Sequence, residues 1–178
     1  MRTCRWALVL LFLMVGACRE QPAPVKAPEG QKGPSQWMNE LVATSYEGNT
    51  KIWDMKSPKA DVIDTQENLL LSKPDIQFFK EGQLSSRMTA EKGRLDTAQQ
   101  NMRVEDNVIV VSTDGARLET SWLIFDSRTQ LIHSTAPARI IRSDSITRGN
   151  NLVANMSLSS VTLTNENVEI LKPSDRSR

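Results

Sequence analysis

Along most of the chain the apolar residues come in short runs at every second position, and the runs recur at a nearly constant step. The segments Pro74-Asp75-Ile76-Gln77-Phe78, Asn107-Val108-Ile109-Val110-Val111, Pro137-Ala138-Arg139-Ile140-Ile141 and Asn167-Val168-Glu169-Ile170-Leu171 start 33, 30 and 30 residues apart. Each is a turn-forming residue followed by a short apolar strand. A second series keeps nearly the same step: Lys59-Ala60-Asp61, Thr89-Ala90-Glu91, Ile124-Phe125-Asp126 and Val153-Ala154-Asn155. A period of about 30 residues holds two or three strands of about 5–6 residues with short turns. Glu47-Gly48-Asn49, Glu81-Gly82-Gln83, Asp114-Gly115-Ala116 and, less closely, Arg148-Gly149-Asn150 punctuate the units as reversals in which glycine takes positive φ without strain.

The alternation also says which face is buried. In Met102-Arg103-Val104-Glu105 and in Val168-Glu169-Ile170 one face is apolar and the other polar. The run Val108 to Val111 is apolar on both faces and predicts a central or covered strand. Val, Ile, Thr and Leu dominate, and only Glu40 to Glu47 has a pattern that could hold a turn or two of helix. The expectation is an all-β protein: short strand–turn units build a sheet that curls or folds over an apolar seam. That seam reads equally as an ordinary hydrophobic core and as a ligand-holding interior.

Composition narrows the chemistry. The chain has 178 residues, a formal net charge of +1, 39% apolar residues and one histidine, His133. Acidic and basic residues are interspersed, with no basic stripe among aromatics, so no nucleic-acid partner is expected. Both cysteines, Cys4 and Cys18, lie within the first 18 residues, leaving no thiol for a disulfide, zinc site or nucleophile downstream. A triad or metal site would depend on His133 alone, and a solvent-facing or satisfied histidine is the better reading. Glu105-Asp106, and Asp61 with Asp64, read as charged turns and strand ends. Trp37, Trp53 and Trp122 read as packing or rim residues. No catalytic residue, metal or cofactor is expected.

The N-terminus has the layout of an export signal. Arg2 and Arg5 precede an apolar run from Trp6 to Val15, and Val15-Gly16-Ala17-Cys18 resembles a lipobox, whose small residues admit the signal peptidase and whose cysteine is lipidated. Residues 1–17 are then a signal peptide and Cys18 the lipid anchor, an uncleaved membrane-spanning anchor being the alternative. Residues 18–36 include REQPAPVKAPEGQKGPSQ, too poor in large apolar residues to fold, and read as a solvated spacer before a domain at 37–178.

Residues from about 39 to 170 resemble the LptC family, the C component of the lipopolysaccharide-export machine. The resemblance is carried by Tyr46-Glu47-Gly48 leading to Lys59-Ala60-Asp61, Ser72-Lys73-Pro74, Ala90-Glu91-Lys92-Gly93-Arg94-Leu95 and Val104-Glu105-Asp106-Asn107-Val108. It continues through Asp114-Gly115, Leu118-Glu119-Thr120 and Ile146-Thr147-Arg148-Gly149-Asn150-Asn151-Leu152. It implies a β-jellyroll of antiparallel strands folded like a slightly open clasp, with lipid acyl chains inside. It further implies that lipopolysaccharide arrives from the permeases of an inner-membrane ABC transporter and leaves to the soluble periplasmic A component by edge-strand pairing. The protein would stay on the periplasmic face of the inner membrane through its lipidated N-terminus. Best-known members span the membrane with one N-terminal helix, which this chain replaces with the lipobox-like motif. By strand parity, Met102, Val104, Val108, Val110, Ile140, Val168 and Ile170 would line the lipid seam, although Ile76 and Phe78 break that parity. The partner edge would be Val161, Leu163, Val168 and Ile170. A protein-binding envelope lipoprotein without lipid, favoured by a dry and tightly packed interior, is the alternative. A carbohydrate-binding module is a more distant one.

Overall fold

The computed structural model describes residues 36–63 and 67–171. The signal segment, Cys18, the Pro-rich spacer up to residue 35 and Asp64 lie outside the described residues, while Gln36, read as the end of the spacer, begins the first strand. Those described form twelve strands: β1 (Gln36–Glu47), β2 (Thr50–Ile63), β3 (Asn68–Ser72), β4 (Asp75–Lys80), β5 (Gln83–Thr89), β6 (Lys92–Asp96), β7 (Met102–Ser112), β8 (Arg117–Asp126), β9 (Leu131–Ser134), β10 (Ala138–Ile141), β11 (Ser145–Asn155) and β12 (Val161–Ile170). All pair antiparallel in one sheet, as the family resemblance implies. The residues 40–47, expected to hold a turn or two of helix, are strand instead. Leu41 and Ala43 face the core while Val42 and Thr44 face outward, a period of two that a helix cannot use.

Three pairs of consecutive strands are single long strands broken in the middle. β3 and β4 run along β2 in one unbroken register, Ile63 opposite Asn68 through Trp53 opposite Phe78. β5 with β6, and β9 with β10, are likewise collinear against their neighbours. The fold is thus a meander of nine long strands, each interrupted at the same level.

The interruptions line up across the sheet. Six non-glycine residues at this level have left-handed backbone: Glu40, Lys73, Asp106, Asn107, Asn151 and Asn165, with φ between 48° and 64°. Pro58 interrupts β2 there, Ala90-Glu91 divides β5 from β6, and Thr135–Pro137 divide β9 from β10. Hydrogen bonds stitch the row together, from the Lys73 amide to the Glu91 carbonyl (2.8 Å) and from the Glu91 amide to the Asp106 carbonyl (2.9 Å). The buried Ser57 hydroxyl bonds the carbonyls of Lys59 and Ser72, and the Thr120 hydroxyl donates to Pro137, supplying partners where the ladder is broken.

This row is a crease. Adjacent strands lie about 4.8 Å apart, so Phe78 on β4 and Phe125 on β8, three strands apart and on opposite sides of the crease, would be more than about 14 Å apart in a flat sheet. Their ring centroids are 4.9 Å apart. The sheet therefore folds back on itself, and its two halves become two layers with the apolar face between them.

The crease explains the repeat. Ile76 and Phe78, Val108 and Val110, and Ala138 and Ile140 follow the crease on alternate long strands of one layer, and all six are buried. The first repeat breaks parity because β7 shifts register by one residue between Glu105 and Val108, whereas β3–β4 crosses the crease without a shift. Of the four expected reversals, the first three are hairpin turns with Gly48, Gly82 and Gly115 at positive φ. The fourth is not a turn. Gly149 lies inside β11, where a Cβ would come within 2.9 Å of both the Leu163 Cβ and the Thr164 carbonyl, so it serves the close approach of β12.

Asn107 is exposed, so its backbone can be tested apart from packing. Asn107→Val, with a β-branched residue in the left-handed region, is expected to destabilise by about 1–2 kcal/mol, and Asn107→Gly to be neutral or slightly stabilising. Equal denaturant midpoints for the two variants would show that the crease does not need a left-handed residue there.

Candidate functional site

The interior between the two layers is the only large apolar environment among the described residues. It contains Met55, Ile76, Met88, Val110, Leu118, Leu123, Phe125, Ile132 and Leu158, all fully buried. Burial of this kind contributes about 25 cal/mol per Å² without directional demand, so the surface that holds the layers together could equally contact a hydrocarbon chain.

Five of the seven residues expected to line the seam, Met102, Val104, Val108, Val110 and Ile140, point between the layers and are at most 3% exposed. Val168 and Ile170 are placed differently. Ile140 faces Thr147 and Thr147 faces Val168 across the ladder, while Ile170 faces Ser145, so both belong to the inner face. Yet they are 55% and 79% exposed. β12 is an edge strand bonded only to β11, and nothing among the described residues covers the end of its inner face. Its other half differs, for Val161 and Leu163 are partly buried against the core. The sheet thus has two free edges, β1 and β12, and at one the interior is open to solvent.

The outer face is polar and paired. Glu119 on β8 accepts from the Arg117 Nε at 2.8 Å and from Arg139 on the neighbouring β10 at 3.1 Å. The two guanidiniums, Arg117 first, hold its carboxyl below the ordinary carboxylate range. Arg87 pairs with Asp75 across β4 and β5, and Arg148 with Glu169 across β11 and β12. Asp106, in the crease, pairs with Lys92, and Glu105 with Arg103. Arg103 in turn stacks on Trp122 at 4.6 Å. Trp37 is exposed and Trp53 is buried inside, so the three tryptophans are spread over both faces. His133 is half-buried on β9, opposite Ile124 and Val153. No three His, Cys, Asp or Glu side chains converge as a metal site would require among the described residues, where no helix is long and apolar enough to cross a membrane.

Sequence reasoning missed a second opening. The hairpin tips of the two layers meet opposite the crease, and a cavity of about 240 Å³ lies between them. Its walls are Phe78, Phe79, Lys80 and Ser85 from one layer and Phe125, Leu131, Asn155 and Met156 from the other. The local signal was the pair of aromatics at Phe78-Phe79 directly before a Lys-Glu-Gly turn. Which segment faces them depends on the fold-over and has no local signature.

An antiparallel sheet doubled over an apolar interior, open at one edge, defines a β-clasp, a fold that can bind along its edges and hold a hydrophobic guest within. A family model for lipopolysaccharide-assembly, LptC-related proteins matches residues 6–169. The chain belongs to this family, which places it in lipopolysaccharide transport at the cell envelope. A search of curated proteins found no match.

The Glu119 cluster gives a pH expectation. Its folded pKa is depressed, so the stability it contributes is present above the unfolded value of about 4.3 and is lost as pH falls through the folded one. Glu119→Gln should therefore lower the denaturation midpoint at pH 7, with the difference from wild type vanishing in acid. A difference that persists unchanged to the acid limit would mean that the variant acts through packing instead.

Proposed function

We infer that the protein is a non-enzymatic, membrane-tethered link in lipopolysaccharide export, receiving lipid from the permeases of an inner-membrane ABC transporter and passing it to a soluble partner of similar fold. The observation that carries this reading is the open inner face at the end of β12. There Val168 and Ile170 continue the apolar interior into solvent, on a strand whose outer hydrogen-bonding edge is free. Pairing another sheet to that edge extends the ladder and at the same time joins two apolar interiors into one path. The edge residues are Val161, Leu163, Val168 and Ile170. The anchor is Cys18, lipidated after removal of residues 1–17, with the Pro-rich spacer holding the clasp away from the bilayer. A clasp edge works whether lipid or a transmembrane helix fastens it.

One observation favours a second reading. The interior at Met102, Val104, Val108 and Val110 is closely packed, as expected of an envelope scaffold that binds protein through its edge and carries no lipid. Carriage requires the layers to part.

Photoreactive residues placed in cells at Val168 and Ile170, with Glu169 on the opposite face as control, separate the two. Lipopolysaccharide adducts at the first two positions and none at the third are expected. No adduct at any of them while export runs would leave the scaffold reading. Independently, Leu163→Pro on the last strand should abolish co-purification of the soluble partner, since an edge proline removes a ladder amide and bends the strand. Retained co-purification would move the partner site to β1 or elsewhere.

A further inference from the structure

We propose that a polar hollow on the outer face of the sheet, where β10, β11 and β12 cross the crease, binds the phosphate and hydroxyl groups of a phosphorylated saccharide. The hollow lies outside the apolar interior, so it stands apart from the lipid-carriage reading.

The ladder register builds the hollow. Glu119 on β8, Arg139 on β10, Arg148 on β11 and Asn167 on β12 are successive cross-strand partners, so they stand side by side in one row of the outer face. Beyond Arg148 the pairing jumps to Asn150 opposite Thr164, and two steps along β11 then face three along β12. The extra residue is taken up at Asn165, left-handed with φ 51°, while Gly149, bare of a Cβ, lets β12 come close. The space left over is about 340 Å³, within the range of small-molecule sites, and is walled by Arg139 and Arg148 and by the amides of Asn150, Asn165 and Asn167, with Glu119 also lining it.

Three features of this hollow do nothing for the fold. Arg139 and Arg148 are like charges placed directly opposite each other, which weakens a ladder unless an anion lies against both. The nearby carboxylates approach from the flanks: Glu119 is shared between Arg117 and Arg139, and Glu169 takes Arg148 from the next row of the ladder. Glu166 is exposed and does not line the hollow. The Arg139 Nε is buried with no hydrogen-bond partner, a cost that an acceptor on a ligand removes. The side-chain amides of Asn150, Asn165 and Asn167 make no hydrogen bond among the described residues, whereas Asn151 next to them bonds the Thr164 hydroxyl at 2.8 Å.

The unused groups select the ligand. Spare N–H groups on two adjacent guanidiniums suit the several oxygens of a phosphate monoester better than a carboxylate, whose two oxygens a single guanidinium fork satisfies. A side-chain amide both donates and accepts, as a sugar hydroxyl does. Beyond Pro137 and Ala138 the lining offers no apolar floor for hydrocarbon, and it has no ring on which a base could stack.

The test is calorimetric titration of the purified full-length protein with glucose 6-phosphate, with glucose and inorganic phosphate as separate titrants. Glucose 6-phosphate is expected to bind about tenfold more tightly than either fragment. Asn165→Gly combined with Asn167→Ala keeps the left-handed backbone and removes two amides that hold nothing in the protein. The double variant is expected to lose about tenfold in affinity, roughly threefold for each hydrogen bond, with an unchanged denaturation midpoint. Arg148→Gln should weaken inorganic phosphate and glucose 6-phosphate alike. The proposal is overturned if wild type does not bind glucose 6-phosphate, if it binds inorganic phosphate equally well, or if the asparagine double variant binds like wild type. Displacement of glucose 6-phosphate by the deacylated saccharide of lipopolysaccharide would assign the hollow to the head of the transported lipid, and failure to displace it would assign the hollow to a free phosphorylated saccharide. The proposal holds in both cases, and it also survives a loss of adducts at Val168 and Ile170, which bears on lipid carriage alone.

Discussion

The crease is the constraint on which the rest of this structure depends. A sheet with one apolar face must bury that face, and the usual partner is a helix layer or a second sheet. This chain has neither among its described residues, so the sheet covers itself, and every long strand must bend at the same level. An L-residue in the left-handed region costs energy, which is why Asn and Asp occupy four of the six such crease positions and proline or an interrupted ladder marks several other strands. The bent strands then bring Phe78 against Phe125, and the core follows.

Folding over differs from closing. A barrel removes its edges, whereas a doubled meander keeps its first and last strands unpaired on one side. Here the two free edges are not equivalent. β1 turns Met38, Leu41 and Ala43 toward the core along its length. β12 does so only in its first half, at Val161 and Leu163, and beyond Asn165 its inner face is uncovered. An uncovered apolar edge invites aggregation unless it is used, and the outward Glu169, paired with Arg148, is the kind of charge that keeps such an edge soluble.

Much of this was legible because a β-repeat writes itself into sequence twice, as alternation along each strand and as a step between strands. Both series fell on real structural equivalents: one gives the strand halves after the crease, and most of the other falls in the opposite layer. What failed did so for local reasons. Pro74, Asn107 and Pro137 look like turn residues, and they do interrupt the ladder, but at a bend within a strand, which uses the same backbone conformations as a turn. Gly149 looks like a reversal because a glycine demanded by close packing has the same letter as one demanded by positive φ. Parity placed Val168 and Ile170 on the inner face, and burial could not be inferred because it depends on whether another layer lies opposite. The cavity at the tips was invisible for the same reason.

The packed interior and the idea of a lipid carrier are less opposed than they look. When an alkyl chain enters between two apolar layers, side chains that were buried against each other become buried against hydrocarbon, and the apolar area removed from water changes little. The cost that remains lies in the directional contacts that must break. In this fold the ladder bonds run within the sheet and survive if the layers swing about the crease. The contacts between layers at the tips are few, from Gln130, Ser45 and Arg142. A closed barrel would have to sacrifice ladder bonds to admit a guest, and a two-sheet sandwich would have to separate both ends. A sheet doubled on itself opens by loosening one line of contacts while the other line, the crease, keeps its register.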